Sequence, residues 1–178
     1  AQTLRVGQWS GWFVAPRRVN PVVDRLAGLR GIVRFKLLSL SPELKLYASP
    51  LNFHPECQPV PFTGPQSFAR ALVDQFGLFK TLGWPIDTWS LPSGLTDERH
   101  FLEDMEFTAD KQFEMMKGFL EKADDRLYVQ VFDFTDRVGH MLWRLHDPGH
   151  PLYDARLAAQ YAEEIPKSYE RMDRIVGE

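Results

Sequence analysis

The stretch Leu127-Tyr128-Val129-Gln130-Val131-Phe132-Asp133-Phe134-Thr135-Asp136-Arg137-Val138-Gly139-His140 governs how the rest of the chain is read. Its first eight residues form a nearly continuous apolar, β-prone run. That is the pattern of a strand covered on both faces, as in a parallel sheet under helices. The run ends in Thr135-Asp136, and helical sequence follows at once through about Arg137 to Leu145. The pattern predicts a buried strand over 127–135 feeding directly into a helix. Asp136 then falls at the carboxyl end of the strand, where open α/β sheets bind ligands and where an Asp can cap the following helix. His140 lies one helical turn further on, so the two side chains can converge on one point beyond the sheet.

Working outward, Asp147-Pro148-Gly149 breaks that helix. A last helix is predicted over about 155–176, with a possible bend at Pro166 and an apolar stripe of Leu157, Tyr161, Ile165, Tyr169 and Met172. On the N-terminal side, a helical region begins near Thr96. Asp97 and Glu98 there favour the positive end of the dipole. It continues or restarts at Thr108 and runs to about Lys122, with Phe113, Met116 and Leu120 on one face. Residues 78–94 read as irregular. A shorter helix is expected from Ser67 to Phe76, with Phe68, Leu72 and Phe76 aligned and Gly77 as its stop.

The first fifty residues read as strands and turns. Val33, Phe35 and Leu37 alternate with Arg34 and Lys36, and Leu44 and Leu46 alternate with Lys45 and Tyr47. Ser41-Pro42-Glu43 is the turn of an antiparallel hairpin between them. Residues around Leu4-Arg5-Val6 and Gly11-Trp12-Phe13-Val14 form a further strand or pair, in which Trp9 and Trp12 read as packing residues. Five prolines between Pro50 and Pro65 exclude helix and central strand over 49–66. The interleaved Leu51, Phe53, Val60 and Phe62 make that stretch a packed strap. The expected architecture is α+β. A β-rich region over 1–66 is followed by a helical region over 67–178 that carries the 127–135 strand.

The 178 residues, 44% hydrophobic and 25% charged, suit an ordinary globular chain and give no apolar run near the roughly 20 residues of a membrane span. With a net charge of -3 and only the sparse cluster Arg17, Arg18, Arg25 and Arg30, binding to a nucleic-acid duplex is not expected. A single cysteine, Cys57, excludes an internal disulfide framework and any multi-cysteine zinc module. The chain opens Ala1-Gln2-Thr3 without Met, and helical sequence runs almost to Glu178. Both ends read as those of a segment of a longer protein.

A carboxylate oxygen and an imidazole nitrogen suit zinc or a similar divalent ion, so Asp136 and His140 are candidate metal ligands. A catalytic zinc takes about three protein ligands and an open position, so the pair is half a shell. On spacing alone Asp136 is equally a helix cap and His140 a packing residue. His146 and His150 either reach the same pocket or face solvent. Arg144 either meets a phosphoryl oxygen or pairs with a carboxylate, and Trp143 reads as core.

The stretch 132–144, with its Asp-x-x-x-His at 136–140 and Met141-Leu142-Trp143-Arg144, followed by Asp147-Pro148-Gly149-His150-Pro151, resembles a known family. It is similar to the type I phosphodiesterase/nucleotide pyrophosphatase branch of the alkaline phosphatase superfamily. Val6-Gly7-Gln8-Trp9-Ser10, Leu46-Tyr47-Ala48-Ser49-Pro50 and Thr81-Leu82-Gly83-Trp84-Pro85 resemble landmarks of bacterial members.

The resemblance implies a partial alkaline-phosphatase-like α/β core with its cap insertion. It implies a hydrolase that uses two divalent ions, usually zinc, on a phosphoester or nucleotide-like substrate. Asp136 and His140 would be ligands of one ion, and Trp143, Arg144 and His150 would lie near the substrate, Trp143 having the core as its other reading. The family's Asp-His-Gly pair and its early Asp and nucleophile have no counterpart, because the chain contains neither an Asp-His dipeptide nor an early Asp-Gly before a strand and nucleophile. No catalytic nucleophile is assigned, and the chain by itself is expected to be inactive. A segment carrying a strand without its sheet neighbours is expected to expose apolar faces that a homo-oligomer could cover. The alternative reading is a non-catalytic binding or interaction module that shares the fold.

Overall fold

A computed structural model describes residues 2–16, 30–58, 60–121 and 127–178. The chain divides into two compact units, Ala1–Pro85 and Ile86–Glu178. Arg17, Arg18 and Arg25 of the basic cluster, and Lys122 at the expected end of the second helical region, lie outside the described residues. The architecture is mixed α and β, with small antiparallel sheets in the first unit and helices in the second. No helix among the described residues is long and apolar enough to cross a membrane.

In the first unit, β1 (Phe13–Pro16), β2 (Arg30–Val33) and β5 (Asn52–Phe53) form an antiparallel sheet in the order β1-β2-β5. Phe13 lies opposite Val33, and Ile32 opposite Asn52. The predicted hairpin is present as β3 (Phe35–Ser39) and β4 (Lys45–Ala48), with Leu37 opposite Leu46 and a register shift between Leu37 and Ser39.

Alternation alone puts Arg34 and Lys36 on the polar face, yet both are buried. The Arg34 guanidinium sits 4.7 Å from the centre of the Trp9 ring, and its Nε donates to the Ser10 carbonyl at 3.2 Å. The Lys36 ammonium lies 5.6 Å from the same ring, which meets Tyr47 edge-on at 5.7 Å. Long basic side chains can bury their stems along an indole and keep their charge over its negative face, so these cations pack where an alkyl group was expected. The strap is tied down by Asn52. Its Oδ1 accepts from the amides of Thr81 (2.7 Å) and Leu82 (3.1 Å), and the Thr81 hydroxyl donates to the Phe53 carbonyl. Helix α1 (Phe68–Phe76) buries Ala69, Leu72 and Phe76 and ends at Gly77, whose φ of 74° suits glycine.

The second unit consists of α2 (Glu98–Leu120), α3 (Phe134–His146), α4 (Ala155–Tyr161) and α5 (Glu164–Gly177). Helix α2 is continuous, with no restart at Thr108. Asp97 is its N-cap and accepts from the His100 amide at 2.8 Å. The expected last helix is two helices, turning at Ala162 and Glu163. Pro166 does not bend a helix interior. It occupies the first turn of α5, where the missing N–H costs no intrahelical bond. The core of this unit gathers Phe101, Met105 and Ala109 of α2, Phe134, Val138, Leu142 and Leu145 of α3, Ala158 of α4, and Ile165 and Ile175 of α5.

The buried strand expected over 127–135 is not formed. Residues 127–133 carry no strand pairing, and Leu127, Val129 and Val131 are 80%, 76% and 72% exposed. Helix α3 already begins at Phe134. A strand needs a neighbour to satisfy its amides, and all the named strands lie within Phe13–Phe53 of the other unit.

Candidate functional site

Helix α3 positions the candidate residues by elimination. Phe134, Val138, Leu142 and Leu145 recur at helical spacing, and all four are fully buried. With that face turned inward, the 3.6-residue period sends Asp136, His140 and Trp143 to the opposite side. The side chains of Asp136 and His140 are 56% and 69% exposed, and Trp143 is 50% exposed. Trp143 is therefore not the core residue that its type suggests.

Because α3 starts at Phe134, Asp136 sits inside its first turn and Asp133 stands at the cap position. A carboxylate in the first turn is favoured by the helix dipole, so Asp136 has a local reason to be there without being a cap. Its Oδ1 lies 3.3 Å from His140 Nε2, and its Oδ2 lies 3.5 Å from an Arg137 nitrogen. Arg137 also reaches Asp133 at 3.6 Å. The guanidinium thus holds one oxygen of Asp136 and leaves the other beside the imidazole.

Two ligands of a tetrahedral ion, each bonded at about 2.0–2.2 Å, stand about 3.3–3.6 Å apart. The Asp136–His140 separation falls at the edge of that range, and it also suits a direct ion pair between the two side chains. In donor type and spacing the pair fits two positions of a zinc shell. No cluster of three or more His, Cys, Asp or Glu suited to a metal occurs among the described residues.

His140 and Trp143 together border two depressions. One, a shallow depression of about 520 Å³, contains Asp136 and is lined also by Ile165 and Tyr169 of α5. The other is a groove of about 720 Å³, lined also by Arg144, His150, Leu152 and Tyr153. The structure therefore brings His140, Arg144 and His150 to one groove, with Asp136 next door on the far side of His140 and Trp143.

Arg144 is held there by a short ion pair with Glu98, which is buried at the start of α2. In this chain the carboxylate-pairing reading of Arg144 is realised, with a buried partner rather than a surface one. His150 is fixed by its own loop, where Nδ1 accepts from the Leu152 amide at 3.0 Å. His146 lines neither depression; its Nδ1 lies 2.9 Å from the Ala162 carbonyl and its ring centre 5.6 Å from that of Trp143. Asp154, also at the groove, caps α4. The Leu157 and Arg156 amides that it accepts hold its carboxyl below the ordinary range, the Leu157 bond contributing most.

Sequence reasoning passed over Tyr153 and the pairing of Glu98, and for Trp143 it held both a place near the substrate and one in the core. Nothing in the sequence links Glu98 to a residue 46 positions away. Compared with known proteins, the chain matches no family model, no curated protein and no solved structure.

Proposed function

We propose that this chain is a segment of a metal-dependent phosphoester hydrolase of the phosphodiesterase/nucleotide pyrophosphatase kind. In the parent, Asp136 and His140 supply part of the shell of one divalent ion, zinc foremost, and the complete site holds two ions. The observation carrying this reading is the pairing of Asp136 Oδ1 with His140 Nε2 at 3.3 Å on an exposed helix face. A divalent ion contributes Lewis-acid stabilisation of charge on phosphoryl oxygens. The chain's own residues have separate tasks. Arg137 orients the Asp136 carboxylate, as outer partners of metal ligands do. His150 borders the adjoining groove, and Arg144, already paired with Glu98, could reach an anionic substrate there only with guanidinium N–H groups that this pair leaves over. Two ligands alone should bind metal weakly, and with no residue assigned as nucleophile the isolated chain should turn over no phosphodiester.

Zinc titration of the full chain, followed by calorimetry, tests the assignment. Asp136→Ala and His140→Ala should each weaken binding by about tenfold or more, a loss at least as large as outer-partner substitutions produce. If both variants bind zinc as the unaltered chain does, the metal assignment is wrong, and the reading as a non-catalytic module takes its place.

A further inference from the structure

Resting on the metal-binding reading above, we propose that Asp133 is a positioning residue that sets the Asp136–His140 pair through Arg137. Two pairs at i, i+4 spacing are linked at the start of α3. Asp133 Oδ2 lies 3.6 Å from Arg137 Nε, and Asp136 Oδ1 lies 3.3 Å from His140 Nε2. The Arg137 guanidinium joins the two, its Nη1 standing 3.5 Å from Asp136 Oδ2. In both pairs the acid precedes the base by four residues, the favourable order on a helix.

Capping does not explain Asp133. An Asp at a helix start ordinarily accepts from an amide of the first turn, yet Asp133 occupies the cap position of α3 and its side chain makes no such bond. Its Oδ2 is turned to Arg137 instead, and its Oδ1 is buried and accepts no hydrogen bond among the described residues. Burial is graded along the linked charges. The side chains of Asp133 and Arg137 are only 21% and 14% exposed, whereas those of Asp136 and His140 lie mostly in solvent. An exposed ion pair is loosely held, because ordering two side chains in water offsets much of their attraction. Arg137 is gripped from its less exposed side, so it offers Asp136 Oδ2 a fixed charge and leaves Oδ1 turned to the imidazole. Without Asp133 the guanidinium is free to take both Asp136 oxygens, the bidentate geometry it favours, and to cover the oxygen that an ion needs.

The test uses the full chain, with zinc affinity read by calorimetry. The His140 ring signals of the metal-free chain are followed by nuclear magnetic resonance and identified by their absence in His140→Ala. Asp133→Asn removes the charge and keeps a residue type that suits a helix start. It should weaken zinc binding by about threefold or more, less than loss of a direct outer partner, since Asp133 acts at one remove. In an Arg137→Met background the same substitution should change zinc affinity no further, the signature of two residues acting through one contact. Asp133→Glu, which keeps the acid four residues ahead of Arg137, should restore most of the loss. Unchanged zinc affinity in Asp133→Asn overturns the proposal. A loss that persists in the Arg137→Met background overturns it too, because Asp133 would then act as a distant charge or a tie of the fold. A Glu variant that binds as poorly as the Asn variant does the same. Failure of the metal reading is seen separately, as zinc binding that neither Asp136→Ala nor His140→Ala alters. The His140 ring then decides alone. Its signals should move in Asp133→Asn and stay in place when that change is made on Arg137→Met, and signals that Asp133→Asn leaves unmoved overturn the positioning role.

Discussion

His54 shows how much one residue's surroundings add to its type. It sits in the proline-rich strap with only 7% of its surface exposed, and its Nδ1 accepts from the Glu56 amide at 3.2 Å. Burial lowers its pKa from the ordinary 6.5, opposed by the Glu56 carboxylate and aided by Arg30. A group that titrates lower in the folded than in the unfolded chain leaves the unfolded state holding more protons between the two values. Its contribution to stability is therefore complete above pH 6.5 and declines as pH falls from there toward the folded value. Urea unfolding midpoints should drop between pH 7 and pH 5, and His54→Asn should flatten that part of the profile. An identical slope in the variant would place the dependence on another group. Nothing in the sequence distinguished this imidazole from a solvated one, because burial comes from the fold around it.

Helix α3 is where local pattern and packing agree. The helix was legible as one beginning after the apolar run, and the structure moves its start from Arg137 back to Phe134, which joins its buried stripe. The stripe both anchors the helix and aims Asp136, His140 and Trp143 outward. Shortening one of its members should loosen the candidate site and the fold together. Leu142→Ala removes a fully buried side chain from the centre of the core and should cost about 2–5 kcal/mol, measured by chemical denaturation. His140→Ala, on the exposed face, should change stability far less, by about 0.5 kcal/mol or under. Comparable losses at the two positions would contradict the division of faces on which the site rests. Helices α4 and α5 teach the opposite lesson. Their apolar stripe is in phase across the break, so periodicity alone joined them. The hydrogen-bonding turn at Ala162 and Glu163 separates them, and Tyr169, on the predicted stripe, is 62% exposed.

On the scale of the whole molecule, residues 127–133 form an apolar segment that, among the described residues, pairs with no strand. Leu127, Val129 and Val131 alternate along an unpaired backbone and are largely exposed, which is the signature of an open strand edge. Such an edge accepts a strand from another chain, and a second copy of this one is always at hand. Sedimentation velocity should therefore show concentration-dependent association, reduced by the double substitution Val129→Lys with Val131→Lys. A monomer at every concentration would show that solvent suffices for this segment.

What the sequence determined by itself is what short-range chemistry controls. The β3–β4 hairpin, the stop of α1 at Gly77, the capping of α2 by Asp97 and the common face of Asp136 and His140 each follow from neighbours within a few positions. Tertiary structure decided the rest. The run at 127–133 has the composition of a buried strand, but pairing requires a partner that composition cannot supply. Arg34 and Lys36 are buried because Trp9, far back in sequence, offers a face to their charges, and Arg144 pairs with Glu98 across two helices. Trp143 is open because the opposite face of its helix filled the core first. Periodicity specifies which residues share a face, whereas only the packed chain specifies what that face meets.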